Sequence, residues 1–342
     1  MSIHTYKKWT IVTVYSIAHF LVDFACIFLM FHRIAGTPNW YLCVLLYNFC
    51  AFAMQMPLGI LADKWNRNFI VAIVGCALVA FAYGFWQFPI AATCIAGIGN
   101  ALFHLGGGID VLNISEEKSG ALGVFVSPGA FGVYLGTVLG KENAPVTMPI
   151  LLALLLAIVM IFTMRRVQGE AYPKNAEFSL DTTSPIYYAA ACLFVVVCLR
   201  SYIGLTLSFP WKSMSHWGAA LVCAVVFGKT IGGFFADRFG LIKTSCVSLG
   251  IASILFLFPQ IPIAGIASVL LFNMTMPITL WAMAKIFPGA KGFSFGLLTF
   301  GLFIGFLPVH FGMSDLGAPW LYAFAAILSL VLLLTGLRKA DI

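Results

Sequence analysis

From Trp9 to Gly336 the sequence is a succession of long apolar runs separated by short polar breaks. A helix needs roughly 20 apolar residues to cross the hydrocarbon layer of a bilayer. Runs of that length, repeated along a whole chain, have no place in a water-soluble fold. The composition agrees, with 61% hydrophobic and 9% charged residues, where soluble domains are near half apolar and a quarter charged. The reading is an all-α integral membrane protein with twelve transmembrane helices. They fall at about 9–32, 40–62, 69–87, 89–112, 119–140, 145–164, 186–209, 213–236, 241–258, 261–284, 291–311 and 318–337. The first run is too long for a signal-peptide core and counts as helix 1. The longest polar interval, 165–185, separates two groups of six. The expected organisation is an N-terminal bundle 1–164, a cytoplasmic linker 165–185 and a C-terminal bundle 186–342.

One short stretch occurs twice. Gly59-Ile60-Leu61-Ala62-Asp63-Lys64-Trp65-Asn66-Arg67 closes the second run of the first half, and Gly233-Phe234-Phe235-Ala236-Asp237-Arg238 closes the second run of the other. Both read Gly-x-x-x-Asp-(Lys/Arg). The glycine lets a neighbouring helix come close, and the carboxylate suits a helix N-terminus or a cation. A second repeat supports the first: 23 residues separate Asn100 from Gly123, and Asn273 from Gly296. The halves therefore read as a duplicated, pseudo-symmetric pair. With the N-terminus inside, fourteen of the nineteen Lys and Arg lie on the inner side and three, Arg33, Lys141 and Lys212, outside. That bias predicts a multi-pass protein of the inner (plasma) membrane with both termini cytoplasmic. Trp40, Trp211 and Trp320 are expected as an aromatic belt at the outer boundary.

The two remaining cations, Arg200 and Lys229, fall within spans. A charge there costs about 2.5–3.5 kcal/mol on insertion scales, so it marks function by default. The Arg200 fork suits carboxylate, phosphonate or phosphate; its plainer role is an ion pair with Asp23. Lys229 could serve the same anion or snorkel to the surface. Gln55 stands eight residues before Asp63, as Lys229 stands before Asp237. His19 and Asp23 are spaced i, i+4 on one face of helix 1. A buried carboxylate and an imidazole are candidate proton carriers; the plainer reading is a hydrogen-bonded pair holding helix 1. Asn100 and His104 repeat the spacing on helix 4, where His104 could equally be a core histidine on a backbone carbonyl. Asn273 and Thr275, beside Pro277, either line a cavity or satisfy a kink. Pro128, Pro277 and Pro308 should each bend a span. Asp110, Glu116 and Glu117 read as gate or loop-network charges. The formal charge of +7 is scattered over helix ends, which argues against a nucleic-acid surface. Nine cysteines, an odd number without a Cys-x-x-Cys, argue against disulfides or a structural zinc. No nucleophile–base spacing marks an enzyme, and no cofactor or metal is expected.

The Gly59–Asp63 and Gly233–Asp237 stretches resemble the loops between helices 2 and 3, and 8 and 9, of the major facilitator superfamily. The run Gly97-Ile98-Gly99-Asn100-Ala101-Leu102-Phe103-His104 is similar to helix 4 of its fosmidomycin-resistance-like branch. The helix 1 His–Asp pair and the glycine-rich helix 5 add to that likeness. Leu105 stands where the branch has Pro, and Thr93 where the superfamily's helix 4 carries Arg. The resemblance implies the major facilitator fold and alternating access, with Gly59, Asp63 and Arg67, and Gly233, Asp237 and Arg238, as a cytoplasmic gate. The expected function is a monomeric secondary transporter of a small organic anion, coupled to protons. Arg200, Lys229, His104, Asn100, Gln55 and Asn273 would bind the anion, and Asp23 and His19 would carry the proton. The rivals are efflux of drugs or phosphonate antibiotics, divalent metal transport through His19, Asp23 and His104, and a non-transporting scaffold. Arg200 and Lys229 speak against the metal; the scaffold predicts Arg200 and Asp23 sealed in a dry pair.

Overall fold

A computed structural model describes residues 3–180, 183–212, 217–315 and 317–342, the side chains of residues 3–7 excepted. Every regular element among them is helical. The helices are α1 (Lys8–Ile34), α2 (Trp40–Trp65), α3 (Asn68–Phe85), α4 (Pro89–Ser115), α5 (Gly120–Lys141), α6 (Thr147–Ala171), α7 (Ser184–Thr206), α8 (Trp217–Phe239), α9 (Leu241–Leu255), α10 (Pro262–Ile286), α11 (Lys291–His310) and α12 (Pro319–Lys339). Eleven are long and apolar enough to cross a membrane, and α9 is the shorter one. The expected start of the eighth helix at 213 lies outside the described residues. The ninth was expected to reach 258 but stops at Leu255. Phe256 still bonds back to Ala252, then the chain turns, and Pro259 has no N–H to carry a ladder on.

Two of the three prolines break their helices. α5 is interrupted at Ser127, before Pro128, and α10 at Met274–Thr275, before Pro277. Pro308 sits near the end of α11 and leaves that helix continuous. α2 carries a π turn at Phe49–Ala53, the kind of insertion that frees a carbonyl. The buried Gln55 follows it and donates to the Ala51 carbonyl at 2.6 Å.

The helices form two compact units. Unit 1 comprises residues 1–116, 128–178 and 289–296; unit 2 comprises 117–127, 179–288 and 297–342. The first segment of α5 therefore belongs to unit 2 and the start of α11 to unit 1. Within unit 1, α3 and α4 touch backbone to backbone. A Cβ on Gly75 would lie 2.7 Å from the Gly99 carbonyl oxygen, and one on Gly99 2.8 Å from the Val79 nitrogen. Small residues make such contact possible where lipid gives helices no hydrophobic drive to associate. Within unit 2, α8 meets the break in α10 in the same way, with Gly232 against Met274.

Trp211 corrects one expectation. It is buried with Phe209, Ala224 and Val269 in a core cluster of unit 2, not set at a lipid boundary. Its ring stacks on Phe209 at 4.7 Å, and its indole N–H donates to the Pro259 carbonyl at 2.9 Å. Room comes from Gly265, where a Cβ would lie 2.5 Å from the indole. Trp320 is exposed, and Trp40 is half-buried against Phe31.

The glycine contacts give a paired prediction. Gly99→Val forces α3 and α4 apart and should destabilise by about 1–3 kcal/mol, the range for overpacking. Gly250→Ala, where a Cβ meets nothing within 4 Å, should leave stability unchanged or slightly raised. Thermal unfolding of the two purified variants in detergent checks both.

Candidate functional site

Within unit 1, α1 and α4 bring four polar side chains together. Asn100 donates its amide to Asp23 Oδ1 at 2.8 Å. The Nε2 atoms of His19 and His104 face each other at 2.8 Å. Asp23 Oδ2 lies 3.2 Å from His19 Nε2, and Oδ1 lies 3.7 Å from His104 Nε2. His104 Nδ1 is 2.9 Å from the Asn100 carbonyl. A carbonyl only accepts, so Nδ1 carries the hydrogen of the neutral ring and Nε2 offers a lone pair. Asn100 Oδ1 is buried without a partner. The i, i+4 spacings put each pair on one face; the packing of α1 on α4 turns those faces toward each other. The two imidazoles and the carboxylate offer ligand atoms all within 4.8 Å of one another, a donor set suited to a proton or a divalent ion.

Within unit 2, Arg200 is 9% exposed. One terminal nitrogen donates to Thr275 Oγ1 at 2.8 Å and reaches Thr279 Oγ1 at 3.4 Å. The two hydroxyls in turn donate to the Phe272 and Thr275 carbonyls. Arg200 Nε is buried with no partner, and among the described residues no carboxylate pairs with the guanidinium. The residue stands about midway between the centre of α7 and its C-terminal end, because the helix ends at Thr206 and not at 209. Lys229 lies at the middle of α8 and reaches the Val126 carbonyl at 3.3 Å, beside the break in α5. Asn273 bonds the Val269 carbonyl of its own helix at 2.8 Å, and Gln55 bonds its own backbone as described above.

The repeated Asp residues each close on a helix N-terminus. Asp63 accepts from the N–H groups of Gly292 at 2.7 Å and Phe293 at 2.9 Å, at the start of α11. Asp237 accepts from the N–H of Ser119 at 2.6 Å, its hydroxyl at 3.0 Å and the N–H of Gly120 at 3.0 Å, at the start of α5. These N–H groups are orphans of the helix start, where a negative charge is favoured. Gly59 and Gly233 make the approach possible. A Cβ on Gly59 would lie 3.0 Å from the Phe293 nitrogen, and one on Gly233 2.8 Å from the Ser119 carbonyl. Arg67 and Arg238, expected in the same gate, do not join it. Both are exposed, and Arg238 lies over the Phe239 ring at 5.7 Å.

One network was only half visible in the sequence. Asp110 is fully buried and accepts from Tyr15 at 2.7 Å, Asn68 at 2.8 Å and the Tyr172 hydroxyl. Burial, then the Asp110 charge, push the Tyr172 phenol well above its ordinary value, so it stays a donor. Tyr172 and Asn175 belong to the linker. Asn175 Oδ1 accepts from Asn68 at 2.7 Å and Asn113 at 2.9 Å, while its amide donates to the carbonyls of Ala62 and Asp63 at 3.2 Å. The first part of the linker is thus bound to the helix end that presents Asp63. The aromatic Tyr172 in a mostly polar linker was the available signal.

No protein-family model and no curated protein matches the chain. Solved structures do match its fold. A point variant of the Escherichia coli fucose:proton symporter FucP aligns with a TM-score of 0.69 at 12% identity, covering 99% of each chain. A bacterial homologue of the iron transporter ferroportin, outward-facing with soaked iron, aligns with a TM-score of 0.62 at 14% identity, over 100% of this chain and 99% of that one. A further FucP structure, titled as a major facilitator superfamily transporter in the outward conformation, aligns at 0.64 and 14% over 96% and 97%. At these identities the likeness shows the fold: twelve helices in the major facilitator arrangement.

The linker network yields the next prediction. Asn175→Ala removes the acceptor of one N–H each of Asn68 and Asn113 and the side-chain donor to the Asp63 carbonyl, and an uncompensated buried group is worth about 1–3 kcal/mol. It should lower the unfolding temperature and speed proteolytic cleavage within 169–180. Lys174→Ala, at an exposed neighbour, should change neither. Equal cleavage rates would show that the docking is not stabilising.

Proposed function

We propose that the chain is a secondary transporter moving a small organic anion across the membrane by alternating access, coupled to protons. The observation that carries this reading is Arg200. Its guanidinium is buried inside a membrane-spanning helix, keeps its charge and has hydroxyls for partners where a carboxylate would be expected. Desolvating a charge without a counter-charge costs several kcal/mol. An arriving carboxylate or phosphonate would supply the missing charge and occupy the unused face of the fork. A sealed ion pair, which the scaffold reading requires, finds no support in this environment. The fucose:proton symporter of the same fold supports proton coupling, and Arg200 is the reason to favour an anion over a sugar. On this reading the protein is a monomer in the inner membrane with both termini cytoplasmic, and the Asp63 and Asp237 contacts hold its cytoplasmic side.

Purified protein in proteoliposomes, offered labelled small carboxylates, phosphonates and neutral sugars, tests it. Uptake should be confined to anions and accelerated by an imposed pH gradient. Arg200→Ala should reduce it at least about 30-fold, as truncating one partner of a buried charge pair costs about 2–5 kcal/mol. Arg200→Lys should recover part of the loss. Undiminished uptake by Arg200→Ala, or uptake of neutral sugars alone, would overturn the reading.

A further inference from the structure

We infer that His19, Asp23 and His104 form a binding site for a first-row divalent metal ion of the Zn2+ type, with Asn100 in its outer shell and Gly129 packed against the ligand atoms. The imidazole Nε2 atoms are 2.8 Å apart, Asp23 approaches His19 through Oδ2 at 3.2 Å and His104 through Oδ1 at 3.7 Å, and one ligand atom from each residue fits within 4.8 Å. A tetrahedral ion with bonds of about 2.0–2.1 Å holds its ligands about 3.3 Å apart, so small side-chain adjustments close the site. Two imidazole nitrogens and a carboxylate oxygen are borderline donors that favour Zn2+ and its neighbours over Mg2+ or Ca2+. The outer groups fit as well. The Asn100 carbonyl holds His104 in the tautomer that turns the Nε2 lone pair inward, the usual arrangement of a ligating histidine.

Two observations go beyond what a shared proton explains. Asn100 Oδ1 is a buried acceptor with no donor; a water on the fourth coordination position would supply one. Gly129, on the second segment of α5, stands against the ligand atoms. A Cβ there would run into Asp23 Oδ2 and His19 Nε2 and lie 2.8 Å from His19 Cδ2. Only a residue without a side chain lets α5 pack this close to the ligand atoms without displacing them. The Asp23 side chain keeps 14% of its surface accessible, so the ligands are not sealed. All the partners used lie on α1, α4 and α5 within unit 1, and the inference stands apart from the anion reading.

The test reads binding alone. Purified full-length protein in detergent is titrated with Co2+, followed by its visible absorption, and with Zn2+, followed by calorimetry and by thermal unfolding. One ion per chain is expected, with the intense visible bands of four-coordinate Co2+ and a Zn2+-dependent rise in unfolding temperature. Asp23→Asn and His104→Gln should weaken binding at least about 100-fold, since losing even an outer-shell partner costs about 10–100-fold. Gly129→Ala, which keeps every ligand, should do the same while the protein remains monodisperse. If a ligand variant does not fold, the wild-type Co2+ spectrum still decides. Absence of binding, a six-coordinate spectrum, or equal binding by the Gly129 variant would each overturn the site. Loss of anion uptake with metal binding intact would sink the transport reading and leave this one standing.

Discussion

A backbone or side chain in hydrocarbon has no water to bond, so each polar group must find its partner inside the protein. Most of this chain obeys in the cheapest way. The amides of Asn48, Gln55 and Asn273, and the hydroxyls of Ser115, Ser127 and Thr279, each bond the carbonyl four residues back. Donors bonded in this way need no partner elsewhere, although Gln55 Oε1 stays buried without one and the Thr279 hydroxyl also accepts from Arg200. Against that background two places stand out. His19, Asp23, Asn100 and His104 turn to one another across two helices, and Arg200 spends its charge on hydroxyls. Both retain buried atoms with nothing to bond, Asn100 Oδ1 and Arg200 Nε. In a membrane, unsatisfied atoms beside ionisable groups are expensive, and nothing in the packing demands them.

The Gly-x-x-x-Asp pattern has a physical reason in the same terms. Glycine and aspartate one turn apart share a helix face. The glycine lets the start of another helix come into backbone contact, and the carboxylate one turn later then meets its free N–H groups. The two occurrences are equivalent in detail. In the register that matches Gly123 with Gly296, residues 119 and 120 correspond to 292 and 293, and these are the pairs whose N–H groups the two carboxylates take. A cation after the aspartate is not needed for this contact, which is why Arg67 and Arg238 remain exposed.

Helix positions were legible in the sequence because bilayer thickness sets their length, and prolines at 128 and 277 marked two breaks. The early end of α9 was not, since its apolar run continues through Phe256 and Leu257 beyond the last helical residue. Trp211 was misplaced because a tryptophan at a span end suits both an interface and a core, and only Gly265 on a distant helix decides between them. His19 and Asp23 were legible as one face of one helix. That His104 Nε2 would meet His19 Nε2 depends on how α1 and α4 pack, which spacing within a helix cannot express. The binding of Tyr172 and Asn175 to the Asp110 region was hidden for a similar reason: polar residues in a linker look solvated until a buried carboxylate is seen to need them.

The duplication sharpens the contrast between what the fold requires and what it merely permits. The positions that hold helix ends keep their identity in both halves: glycine with glycine, aspartate with aspartate. The buried polar positions differ in residue or in contact. Gln55 matches Lys229, and Asn100, which reaches Asp23, matches Asn273, which bonds its own helix. The pair that decides most is Cys26 and Arg200, each 37 residues before its aspartate. Cys26 is fully buried, with weak sulfur contacts to the Ala96 carbonyl at 3.7 Å and the Asn100 amide at 3.9 Å. A small, nearly apolar residue therefore suffices for packing at that place in one half. A guanidinium at the equivalent place in the other is not something the architecture needs, and on the proposed reading the anion it binds offsets its cost.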